Sequence, residues 1–176
     1  YGNSGNNVRN GLGGNDSLYG NGGAGTLQGG GGGDSMYGVS GNDVYYVDNV
    51  GDSVYEETTH GVDDGGYDKV ISSISYTLGA HVEELDLIGT ANITATGNDL
   101  DNYISGNAGA NVLWGLGGND TLDATAGGID NLLGGTGDDV YIINNAATII
   151  TKTNSTDWDA EWTWVGRVGD GSSPRA

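Results

Sequence analysis

The sequence predicts an all-β chain, a parallel solenoid of short strands joined by glycine-rich turns. Three observations carry this: a nine-residue period, one apolar residue per period, and a second half that repeats the first. From Gly11 to Tyr46 the chain reads GLGGNDSLY, GNGGAGTLQ, GGGGGDSMY, GVSGNDVYY, with glycine at the first and fourth places and an apolar or aromatic residue at the eighth. A glycine-rich turn followed by three extended residues cannot bury a face alone, so successive pieces must stack. Two pieces make one coil, and turns eighteen residues apart then share an edge at the strand spacing of roughly 4.8 Å.

Gly2 to Asn10 (GNSGNNVRN) is a weakened first repeat, with Asn7 at the sixth place and Arg9 at the core-facing eighth. VDNVGDSVY (Val47 to Tyr55) keeps the register and closes a first block, residues 1–55. Its eighth places are Leu18, Leu27, Met36, Tyr45 and Val54. Residues 56–96 are expected to be a β-rich connector that continues the solenoid, since KVISSISYTL and VEELDLIG are β-branched and alternating. The Gly65, Gly66, Asp68, Val70 spacing there echoes half a repeat, so Asp68 is either a cation ligand or a surface turn aspartate.

A second block, 97–151, begins GNDLDNYIS, GNAGANVLW, GLGGNDTLD; Ala124 is inserted, and TAGGIDNLL and GGTGDDVYI resume. Its eighth places are Ile104, Leu113, Leu122, Leu132 and Tyr141. Gly2 to Gln28 aligns with Gly97 to Asp123, and Gly38 to Tyr55 with Gly134 to Thr151, so the chain is a tandem duplication in which Asp48 has become Asn144 and Asp52 Thr148. The pattern is expected to stop after Lys152. Residues 152–176, with Trp158, Trp162 and Trp164, are then a cap over the last strand, a disordered tail, or sequence foreign to the natural protein. The start at Tyr1, in mid-repeat and without an initiator methionine, is expected of a fragment.

The sixth places decide the chemistry. One edge aligns Asp16, Asp34 and Asp52; the other aligns Asn7, Gly25 and Asp43, which is expected to bind metal more weakly. In the second block the sixth places are Asn102, Asn111, Asp120, Asp130 and Asp139. Carboxylates 4.8 Å apart repel by roughly 0.9 kcal/mol in water and roughly 3.5 kcal/mol at an effective dielectric near 20. Such a ladder needs cations between its rungs. Aspartate oxygens with turn carbonyls, and no nitrogen or sulfur donor, make a hard oxygen cage that favours calcium. One buried side chain per nine ordered residues offsets little conformational entropy, so metal binding free energy is expected to be folding free energy.

With aspartate at the sixth place and an apolar residue at the eighth, the repeat resembles the GGxGxDxUx nonapeptide of the RTX family of secreted bacterial proteins. The resemblance implies a right-handed parallel β-roll that binds several calcium ions, secretion, and a type I secretion machinery as partner. It also implies a ligand scheme: carbonyls of the first and third places plus the aspartate of one turn, with carbonyls of the second and fourth places plus the aspartate of the next. Carried onto this chain, the scheme gives Gly11, Gly13 and Asp16 with Gly30, Gly32 and Asp34. It then gives Gly29, Gly31 and Asp34 with Asp48, Val50 and Asp52, where Val50 replaces the usual glycine. In the second block Gly115, Gly117 and Asp120 face Gly135, Gly137 and Asp139; Gly41 with Asp43, Gly118, and Asp130 complete the candidate ligands.

Composition narrows the classes. A formal charge of -19 makes nucleic acid and anionic membranes poor partners. No apolar run reaches membrane-spanning length. Zero cysteines remove disulfides and thiolate sites. GNGGAG (Gly20 to Gly25) matches a dinucleotide fingerprint only because this repeat lacks its aspartate, and no Rossmann-type strand and helix flank it. His60 and His81 belong to no HExxH, and no GxSxG exists, so no catalytic constellation is expected. Tyr19, Tyr37, Tyr46 and Trp114, at outward-facing ninth places, leave a second reading open: a module that stacks extracellular polysaccharide on exposed rings.

Overall fold

The computed structural model describes residues 1–56, 65–152 and 158–163, of which 161–163 by backbone alone. His60, Trp164 and most of the expected cap or tail lie outside the described residues. The described chain has no helix. Its strands in order are β1 (Val8–Asn10), β2 (Ser17–Gly22), β3 (Thr26–Gln28), β4 (Ser35–Ser40), β5 (Val44–Val47), β6 (Ser53–Tyr55), β7 (Lys69–Ser72), β8 (Tyr76–Thr77), β9 (Glu84–Leu87), β10 (Thr94–Thr96), β11 (Tyr103–Ser105), β12 (Val112–Gly117), β13 (Thr121–Ala124), β14 (Asn131–Thr136), β15 (Val140–Ile143), β16 (Ile149–Thr151) and β17 (Ala160–Thr163).

Odd-numbered strands stack into one nine-stranded sheet running β1 to β17. Even-numbered strands form the opposite face as two sheets, β2-β4-β6 and β8-β10-β12-β14-β16. Every pairing is parallel, which a chain achieves only by crossing over between faces at each turn. The expected solenoid is therefore the fold, an all-β parallel roll. The registers Ser17↔Ser35↔Ser53 and Thr26↔Val44 are the eighteen-residue steps read from the sequence.

The core is one side chain thick. Leu27, Met36 and Tyr45 are fully buried, as are Val70, Leu85, Ile104, Leu113, Leu122, Leu132 and Tyr141. Arg9, at the first core-facing place, stays half-buried and donates to the Tyr1 carbonyl. The inserted Ala124 is absorbed by lengthening β13, where it is buried and pairs with Ile143.

Beyond Lys152, where the nonapeptide signals end, one more strand is laid down: β17 adds in parallel to β15 in the same register as the strands before it. Glycine is not needed for that step: Asp159, two residues before the paired Glu161, accepts the Asp139 N–H at 3.1 Å.

Candidate metal sites along the two turn edges

The sixth-place side chains line two edges of the roll. Preceding the even strands are Asp16, Asp34 and Asp52, then Ile74 and Ile93, then Asn111, Asp130 and Thr148. Preceding the odd strands are Asn7, Gly25, Asp43, Asp68, Glu83, Asn102, Asp120, Asp139 and Asp159. This second edge runs on past Asp43 through Asp68, Asp120 and Asp139, which the sequence offers as candidates, and through Glu83 and Asp159, which it does not.

Every sixth-place aspartate after Asp16 is held the same way. Its Oδ1 accepts the backbone N–H of the sixth-place residue one coil earlier: Asp34 from Asp16 at 2.7 Å, Asp52 from Asp34 at 3.0 Å, Asp43 from Gly25 at 2.5 Å, and Asp68 from Asp43 at 2.7 Å. Asp120 accepts from Asn102 at 2.8 Å, Asp130 from Asn111 at 2.7 Å and Asp139 from Asp120 at 2.9 Å. The structure thus brings Asp16 beside Asp34 and Asp120 beside Asp139. Asp130 has no acidic neighbour on its edge, standing between Asn111 and Thr148.

The other oxygen is the informative one. Oδ2 of Asp16, Asp34, Asp43, Asp120 and Asp130 is buried and receives no hydrogen bond. A buried carboxylate oxygen without a donor is costly, and hard divalent cations are the partners that such oxygens and nearby carbonyls suit. Those of Asp16, Asp34, Asp43 and Asp120 point back into their own turn, toward the first-place glycine. A Cβ built on Gly29 would lie 2.1 Å from Asp34 Oδ2, and one on Gly115 2.1 Å from Asp120 Oδ2.

Neighbouring turns approach equally closely. Gly32 has φ +128°, and a Cβ there would lie 2.0 Å from the Gly14 carbonyl oxygen. The Gly14 N–H donates to the Gly31 carbonyl at 2.7 Å, and the Gly31 N–H to Leu12 at 3.0 Å, so Gly11, Gly13, Gly30 and Gly32 do lie on facing turns. In the second block Leu116 pairs with Gly135, and a Cβ on Gly137 would lie 2.0 Å from the Gly118 carbonyl, so the turns carrying Gly115, Gly117 and Gly118 face those carrying Gly135 and Gly137. Gly41 in turn lies against Gly23, and a Cβ there would be 2.7 Å from the Gly23 carbonyl carbon.

Two kinds of turn depart from this arrangement. Asp52 has both oxygens occupied, because its Oδ2 accepts the N–H groups of Asp48 and Asn49 at 3.1 and 3.0 Å. With Asp48 exposed and Val50 94 % exposed, this rung reads as a closed turn cap, unlike the Asp16 and Asp34 rungs. Asn102 and Asn111 satisfy themselves. Each Oδ1 accepts a local N–H, from Asn98 and Asn107 respectively, both at 2.8 Å. Each Nδ2 donates to a carbonyl of the preceding coil, Val82 and Ile93 respectively, both at 3.2 Å. The amide brings its own donor where an aspartate leaves an oxygen bare.

Sequence reasoning missed Glu56. It sits eighteen residues after Gly38, at a first place where the repeats carry glycine, and that substitution was its only signal. Its carboxylate is 1 % exposed and meets Asp43 and Asp68, one oxygen from each lying within 4.8 Å of the others. Oε2 accepts the Val39 N–H at 3.1 Å, and Oε1 accepts the Tyr45 hydroxyl. Burial pushes the Glu56 carboxyl up to about 8 and that of Asp120 up to about 7, and also raises Asp43 and Asp130. His81 is not part of this group.

The ninth-place tyrosines of the first even-strand sheet and Tyr1 cover one another's faces. Tyr1, Tyr19, Tyr37 and Tyr55 stack on one another at 4.6, 4.7 and 4.8 Å between centroids, with interplanar angles of at most 15°. The inner ring faces are covered by neighbouring rings, so a sugar ring has no inner tyrosine face to stack on. Tyr46 and Trp114 are exposed singly, on opposite faces of the roll.

Comparison with known families agrees with this geometry. The RTX calcium-binding nonapeptide repeat matches in four copies, over residues 1–24, 10–45, 19–54 and 96–128. No curated protein and no solved structure matches the chain.

Proposed function

From a chain that carries the RTX calcium-binding nonapeptide repeat in two separate blocks, we propose a non-catalytic, calcium-dependent folding module of a larger secreted bacterial protein. The single observation that carries this reading is the set of buried, donorless Oδ2 atoms on stacked turns. Five carboxylates arranged this way gain most from an ion that the unfolded chain cannot cage, so ion binding is coupled to folding. Extracellular calcium modules bind at roughly 10⁻⁴ to 10⁻³ M. At that affinity the chain stays open in a low-calcium cytosol and closes on reaching calcium outside, which fits passage through a type I secretion channel.

The repeat scheme names three ions, between the turns of Asp16 and Asp34, of Asp34 and Asp52, and of Asp120 and Asp139; at the second of these both Asp52 oxygens already accept backbone N–H groups. Nothing in the site asks for a nucleophile or a general base: Asp34, Asp120 and Asp139 are each tied through Oδ1 to the backbone of the preceding coil. Circular dichroism with calcium and with a strong chelator is the direct test. A β signal and a thermal midpoint that appear only with calcium are expected. A β signal untouched by chelation overturns the reading.

A further inference from the structure

We infer that Asp43, Glu56 and Asp68 form a further calcium site of a different kind, in which three carboxylate side chains, rather than two and a set of glycine carbonyls, hold one ion. The inference rests on the calcium-binding reading above and adds a site that the repeat scheme does not contain. In that scheme the first place contributes only a backbone carbonyl. Here the first place of the coil is Glu56, which supplies a side chain instead.

The geometry fits one ion. Oxygens bound to the same calcium at 2.3–2.6 Å lie no more than about 5 Å apart, and the three acids offer one oxygen each within 4.8 Å of one another. Their residues are 0, 1 and 2 % exposed, so water does not screen the three charges.

A cluster of acids is not by itself a site, and a second observation points to the ligand. Asp43 is fully buried, and its Oδ2 is turned inward with no hydrogen-bond donor. The nearby ammonium of Lys69 is engaged elsewhere, with Glu84 at 2.8 Å and with Asp86. The Tyr45 hydroxyl and the Val39 N–H go to Glu56 and leave Asp43 Oδ2 unserved. Oxygen donors alone, with histidine absent from the group, select a hard cation.

The test is calorimetric calcium titration of the whole chain as wild type, Glu56→Gln, Asp68→Asn and the double variant. Glutamine keeps an acceptor for the Val39 N–H and a partner for the Tyr45 hydroxyl, so the fold is retained, and circular dichroism in saturating calcium checks this. Each single variant is expected to lose one ion, or to weaken one by at least tenfold. The double variant is expected to lose no more ions than either single one, because both residues serve the same ion. If wild type binds several ions and Glu56→Gln titrates identically, the three-acid site is overturned while the repeat sites stand. Two ions lost in the double variant overturns the shared site. Wild type that binds no calcium overturns both readings together.

Discussion

Asp34 and Asn102 occupy the same place in their turns and solve the same problem differently. Both must terminate a buried turn whose backbone groups face the next coil. Asn102 donates to Val82 and accepts from Asn98, and is complete. Asp34 accepts from Asp16 and is left with Oδ2 bare. Replacing Asp34 by alanine removes the acceptor of the partly buried Asp16 N–H, worth about 1 kcal/mol, and a carboxylate shared by two ion positions in the repeat scheme. Calcium titration of Asp34→Ala is expected to show loss of the tightest ions and of cooperative folding; a wild-type isotherm would refute the shared role. At the second place of the turn, Val39 holds φ +84°, a left-handed conformation that a β-branched residue resists. Val39→Gly is expected to raise the calcium-loaded thermal stability by about 1 kcal/mol, the strain relieved exceeding the entropy that glycine adds to the unfolded chain. An unchanged or lower midpoint would show that the backbone there is not strained.

Between β9 and β12 the turns are built on Asn98, Asn102, Asn107 and Asn111, with Ile93 at the remaining sixth place, and need no ion. This stretch is therefore expected to hold its hydrogen bonds when calcium is removed, while β2 to β6 and β13 to β15 open. Hydrogen exchange in chelator checks it: protected amides confined to peptides covering 84–113 are expected, and uniform exchange along the chain would refute it. How much was legible beforehand follows the same division of elements. The period of nine fixed coils, registers and core, because one apolar residue per period leaves no other face to bury; Leu27 and Leu122 read as core and are core. Glu56, Glu83 and Asp159 were not legible. They take part in the acid edges through side-chain acceptance of a neighbouring coil's N–H, or by meeting neighbouring acids, and neither role requires the glycines that mark a repeat. The division of labour between the copies was also hidden. Asp16 and Asp34 correspond to Asn111 and Asp130, whereas Gly25 corresponds to Asp120, so the adjacent aspartates move from one edge to the other.

For the molecule as a whole, a formal charge of -19 gathered partly into buried columns makes protons and calcium alternative counter-charges for the same fold. Burial raises Glu56 from 4.5 to about 8 and Asp120 from 3.8 to about 7, so across that window the folded chain holds protons that the unfolded chain has released. Stability without metal is then greatest at the acid end of the window and falls as pH rises through it, because the unfolded state binds fewer protons there. Calcium requires the deprotonated acids, so its affinity runs the other way and grows as pH rises. In chelator the β signal is expected to increase as pH is lowered from 8 to 5. In a calcium titration followed by circular dichroism, the midpoint is expected to move to higher calcium over the same change, with protons released on binding at pH 7. A calcium midpoint independent of pH would mean that the buried acids are already ionised without metal, and that the ladder is held together by something other than its counter-charge.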